Sequence, residues 1–168
     1  ATGRVVYGDA SVTYTSQDNG SNITKIYTEK VAGGVSPELL VGKSGGVFTI
    51  AGIPYGGAKV ITVSFKQNAQ KLTVSLTGTG YSTDYQSPKP TATGTVSFYV
   101  TVADGADATF GIVMTSGSSN VRVDDILVSV KTAGEASQGG DDPVVEPTTK
   151  TIYLNGGDVL AQRGKLAL

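Results

Sequence analysis

Apolar residues at every second position recur along this chain in short runs, and that period commits it to half-buried extended segments. Ile61, Val63 and Phe65 alternate with Thr62 and Ser64; Leu72, Val74 and Leu76 repeat the pattern, as do Val96, Phe98, Val100 and Val102. Side chains on a strand point alternately to opposite faces, so each run offers one face to a core and one to water. Strands are expected near Arg4–Tyr7, Ser11–Thr15, Ile23–Glu29, Val47–Ala51, Lys59–Lys66 and Lys71–Thr77, then near Thr95–Val102, Ala108–Thr115 and Asn120–Lys131. No segment carries a helical period, and Pro37-Glu-Leu-Leu-Val41 could form at most a single turn. Lys66-Gln-Asn-Ala-Gln-Lys71 reads as a hairpin connection between two runs. The expected fold is all-β: a two-sheet antiparallel β-sandwich of about nine strands.

The stretch Asn120-Val-Arg-Val-Asp-Asp-Ile-Leu-Val-Ser-Val-Lys131 departs from simple alternation. Val121 and Val123 share one parity, whereas Ile126, Val128 and Val130 share the other. A phase change at Asp124-Asp125 predicts a β-bulge, where one extra residue re-aims the side chains that follow. Two carboxylates at such a point want a cation, backbone N–H donors or water. Calcium ligation by Asp124 and Asp125 is one outcome; capping of backbone N–H groups by one of them, with the other solvated, is the alternative. Joint catalysis by this pair is disfavoured, because neighbours on a strand face opposite ways.

Composition narrows the chemistry. The 168 residues contain no His and no Cys, which removes Ser-His-Asp triads, thiol nucleophiles and ordinary zinc sites. Thirteen basic and 14 acidic residues leave a net charge of −1, and the basic ones form no stripe, so nucleic acid is not an expected partner. No apolar run approaches the roughly 20 residues that span a bilayer, so no membrane insertion of this segment is expected. Twenty-three glycines, abundant Ser and Thr, and few charges fit an exported all-β protein.

Organisation follows from shifts in composition. A sandwich module is expected over residues 1–131, a Gly-, Pro- and acid-rich linker over 132–149, and a tail over 150–168. Thr151-Ile-Tyr-Leu154 restarts a strand-like run, so the tail reads as the start of a truncated second module or as a docking strand. The longest polar gap, Gly78 to Gly94, holds Tyr81 and Tyr85. Together with Tyr55 in Ile53-Pro-Tyr-Gly-Gly57, these are the aromatic candidates for a sugar platform, since sugar C–H faces pack on flat rings. The competing role is that they cover the sandwich edge. Asp104-Gly-Ala-Asp107 and Asp18-Asn-Gly20 read as turns.

Val121-Arg-Val-Asp-Asp-Ile-Leu-Val128, preceded by Phe110-Gly-Ile-Val-Met114, resembles the closing strands of bacterial jelly-roll modules of the galactose-binding and carbohydrate-binding type. It is also similar to surface lipoprotein domains of Bacteroidetes. That resemblance implies a jelly roll, a structural Ca²⁺ held by Asp124 with Asp9 or nearby carbonyls, and an extracellular or cell-surface location. The expected function is a non-catalytic carbohydrate-binding accessory module in a longer polypeptide, with a glycan or surface protein as partner. The alternative is a structural or adhesive spacer, with strand addition by the tail. A two-carboxylate glycosidase is a third class, but no run of residues suggests one.

Overall fold

The computed structural model describes residues 12–87, 89–130 and 150–154, so the expected strand Arg4–Tyr7 lies outside the described residues. The described residues form eleven strands in chain order: β1 (Thr13–Gln17), β2 (Lys25–Tyr27), β3 (Glu38–Val41), β4 (Val47–Pro54), β5 (Val60–Gln67), β6 (Leu72–Thr77), β7 (Tyr81–Thr83), β8 (Gly94–Val102), β9 (Thr109–Ser116), β10 (Val121–Val130) and β11 (Lys150–Leu154). They form two antiparallel sheets, one ordered β1-β4-β9-β6 and the other β2-β3-β10-β5-β8-β7, with β11 also paired to β10. The all-β sandwich expected from the alternation is therefore the fold, and no helix occurs among the described residues.

The core lies between the inner faces, where the alternating apolar residues meet. Ile61, Val63 and Phe65 of β5, Phe98 and Val100 of β8, and Ile112 and Met114 of β9 are all buried. Phe65 and Phe98 meet edge to face with centroids 6.4 Å apart. Complete burial of a Phe side chain such as Phe65 contributes about 2–3 kcal/mol by transfer alone.

Two expectations change. Residues 66–71 are not a hairpin, because β5 pairs β10 and β8 in one sheet while β6 pairs β9 in the other. Each strand is apolar on one face, and from opposite layers the two turn those faces toward one another across the core. The connection turns between the sheets on Gln67, fully buried, whose Nε2 donates to the carbonyls of Asn68 and Gln70. Glu38–Val41 is a strand and not a helical turn. All four of its residues are buried, so the run has no exposed face to give it a period of two.

β10 bears out the predicted bulge. Its register with β5 shifts between Asp124 and Leu127, with two residues on β10 opposite Phe65 alone. Val121, Val123, Ile126 and Val128 consequently all face the core despite their change of parity. Asp125 adopts a φ of 49°, a left-handed conformation that Asp tolerates better than most L-residues. β4 uses the same device: its register with β9 shifts between Ile50 and Ile53, at Gly52 with a φ of 77°.

The bulge geometry generates a test. Asp125→Asn should change the urea midpoint little, whereas Asp125→Val, β-branched at a positive φ, should cost about 2 kcal/mol. Equal effects of the two substitutions would mean that the backbone conformation there is not what matters.

Candidate functional site

The acidic pair is divided by the bulge into two different jobs. Asp124 is 1% exposed, and its two oxygens accept from Val35 N (2.9 Å) and Asp125 N (2.8 Å). Asp125 instead faces Lys66, with Oδ2 and Nζ 2.7 Å apart. Glu38, also fully buried, accepts from Val31 N at 3.0 Å and Ala32 N at 2.8 Å. Two buried carboxylates thus clamp the loop 28–37 onto the outer face of the larger sheet. A buried charge of this kind is tolerable only when hydrogen-bonded, and several backbone donors meet that need. At Gly34 the loop lies so close that an added Cβ would fall 2.0 Å from Asp124 Oδ2. Only glycine fits that approach.

Arg122 continues the cluster. Its Nη1 reaches Glu29 at 2.8 Å and Glu38 at 3.1 Å, and its guanidinium lies over the Tyr27 ring, 4.5 Å from the centroid. Lys25 Nζ is 4.9 Å from the same ring. An open cleft of about 250 Å³ beside them is lined by Ser21, Asn22, Lys25, Tyr27, Asn120 and Arg122, with Ile23 and Leu40. Sequence reasoning missed this group, since nothing in the separate runs Lys25–Tyr27 and Val121–Val123 announces that β3 joins them.

Of the three residues expected to bind calcium, Asp9 lies outside the described residues. Among the described residues no three acidic, His or Cys side chains gather as a metal ligand set. The amides on Asp124 and the ammonium beside Asp125 meet the needs that an ion would meet, so the described part of the set does not fit a calcium cage.

The three candidate tyrosines sit on the seam between the sheets, Tyr81 at the start of β7 and Tyr55 and Tyr85 in connecting segments. Tyr81 stacks on Phe110 with centroids 4.9 Å apart, and Tyr85 packs edge-on to Phe98 at 5.2 Å. Tyr55 meets Tyr81 at 6.3 Å, so two of the three rings adjoin, and all three rest half-buried against the core. Tyr81 donates to the Asp107 carbonyl, and Tyr85 to the Leu72 carbonyl at 2.6 Å. Burial pushes the Tyr85 hydroxyl from an ordinary 10.0 up to about 12, and burial with the neighbouring Tyr55 and Asp107 raises that of Tyr81.

A different aromatic stands clear. Tyr99 of β8 is 57% exposed on the outer face of the larger sheet. Its amide donates to Asp84 Oδ1 at 2.9 Å, which holds its backbone from the edge strand's side. Around it the register aligns Thr62 opposite Tyr99, Ser64 opposite Ser97, Lys66 opposite Thr95, and Ser129 opposite Thr62. A second cleft of about 200 Å³ on this face is lined by Ser64, Phe65, Lys66, Thr95, Asp125 and Leu127. Sequence reasoning passed over Tyr99, although in the run Val96 to Val102 it falls on the parity opposite to the core residues.

Two measurements follow. A calcium ion present at a hundred times its Kd would add about 2.7 kcal/mol, several degrees of melting temperature. EDTA is expected to leave the melting temperature where it was, and a drop of that size would restore the ion. For Tyr85, the stability from a raised pKa is full below pH 10 and is lost as pH rises toward 12. The loss should be about 1 kcal/mol, since the half-buried ring is partly screened. Tyr85→Phe should remove that alkaline decline while changing stability at pH 7 by less than about 1 kcal/mol, because Ser87 Oγ also donates to the Leu72 carbonyl.

Comparison with family models, curated proteins and solved structures gives no match for this chain.

Proposed function

We propose that this chain is a non-catalytic carbohydrate-binding module whose contact surface is the outer face of the seven-stranded sheet, centred on Tyr99. The observation that carries this reading is an exposed aromatic fixed on a regular sheet, with hydroxyl side chains at fixed spacing beside it. A pyranose presents an apolar C–H face and a rim of hydroxyls, and such a surface offers a ring for the first and donor-acceptor groups for the second. Short Ser and Thr side chains keep the sheet low around Tyr99, so an extended glycan could lie across several strands. Lys66 and Asp125, paired at the neighbouring cleft, add charged hydrogen-bonding groups at its end.

Glycoside hydrolysis needs two carboxyl groups facing one cleft at roughly 5–10 Å. The carboxylates of this region have other partners: Asp124 and Glu38 hold backbone amides, Glu29 meets Arg122, and Asp125 meets Lys66. This supports binding without catalysis. In keeping with the resemblance of the Val121–Val128 stretch, the proposed setting is an accessory module of an exported, surface-displayed bacterial protein.

The test is affinity electrophoresis and a glycan array with four proteins: the parent, Tyr99→Ala, Tyr55→Ala and Tyr85→Phe. Tyr99→Ala should weaken retention about tenfold or more, the loss expected when one stacked ring is removed, while Tyr85→Phe retains it. Absence of retention of the parent on every glycan would favour a structural spacer instead. Loss in a Tyr55→Ala variant with Tyr99→Ala unaffected would move the platform to the seam.

A further inference from the structure

β10 is the longest strand of the sandwich, and its two edges are used differently. Along one edge β5 pairs with it from Val123 to Val130. Along the other, β3 reaches only Val121 to Val123, and residues 126–130 are left for β11. The register there is direct: Ile126 with Leu154, Leu127 with Tyr153, Val128 with Ile152, Ser129 with Thr151 and Val130 with Lys150. Without β11, five residues in a row would present unpaired backbone groups at a sheet edge, which is a template for any further strand.

The manner of attachment matters. Adjacent antiparallel strands are ordinarily joined by two to five residues, whereas nineteen (131–149) separate β10 from β11. β11 therefore arrives as a tethered segment and not as the second arm of a tight hairpin. A connection of that length holds its strand at an effective concentration on the order of millimolar. The sequence Lys-Thr-Ile-Tyr-Leu favours extended structure and carries one charge, and the chain's net charge of −1 sets no repulsion between copies.

We infer that the 126–130 edge of β10 is an exchangeable strand-acceptor site that the Lys150–Leu154 strand of a second copy can occupy. Donor and acceptor are present in every copy and the pairing in trans would be the pairing seen in cis. Cis pairing leads in dilute solution, and exchange gains as the local density of copies nears the effective concentration of the tether. Reciprocal exchange closes a dimer, whereas head-to-tail donation builds an open chain of modules. This surface lies at the sheet's edge and is independent of the glycan reading.

The chain contains no cysteine, so introduced thiols report the pairing without competition. In the full chain, Ser129→Cys and Thr151→Cys together should form an intramolecular disulfide, since directly opposed strand residues lie within bonding range. A mixture of the two single variants, concentrated to about a millimolar and then oxidised, should give the 129–151 heterodimer. A mixture of Ser129→Cys with Ile152→Cys, one residue out of register, should give about tenfold less. A cross-link in the double variant with none in the mixture would confine the edge to its own tail and overturn exchange. Equal yields from both mixtures would also overturn it, as random collision, and so would a double variant that fails to cross-link.

Discussion

One residue more on β10 than on β5 between Asp124 and Leu127 decides which way every later side chain of β10 points. Before the bulge Val121 and Val123 fill the core; after it Ile126 and Val128 do. Had the strand continued without the insertion, the second pair would face water and Asp125, Leu127 and Ser129 would be turned toward the core. A slip of one residue in a half-buried strand exchanges its two faces completely. The left-handed backbone at Asp125 is the local condition for this, and an acidic side chain meets it while also answering Lys66.

The same insertion makes Asp124 available for the outer face. There it and Glu38 anchor the loop 28–37 through three backbone N–H donors, those of Val31, Ala32 and Val35. Carboxylates that first look like chemistry turn out to organise a loop. The aromatic residues divide in a comparable way. Tyr81 and Tyr85 close the seam between the sheets and direct their hydroxyls to carbonyls, while Tyr99 projects from the middle of a regular strand. A ring on a paired strand is held in place by the hydrogen bonds on both its flanks, a firmer mounting than a long loop provides.

The strands and the bulge were legible because both are recorded in parity, a local property. Pairing partners were not. The polar residues 66–71 fit a hairpin as well as a passage between sheets, and the choice is made by β9 and β10, far along the chain, which take β6 and β5 into different layers. Glu38–Val41 was unreadable for a related reason: the loop above it and Arg122 beside it cover its outer face, so no alternation marks it. For the site, the same locality applies. Tyr99 could be assigned to the exposed face from its neighbours alone, whereas whether Tyr55, Tyr81 and Tyr85 roof the core depends on Phe98 and Phe110, which only the packed sheets bring beneath them.

The strand order also bears on how the molecule is made. β9 stands between β4 and β6, and β10 between β3 and β5, so the middle of each layer is supplied by the late part of the sequence. During synthesis the earlier strands leave the ribosome with nothing to pair against on those sides. The smaller layer cannot be completed until β9 has emerged and the larger until β10 has, and assembly then proceeds through distant contacts, which is slow. A nascent chain of this design is exposed to misassociation for most of its translation, and chaperones that shield bare strand edges would act on it in that interval.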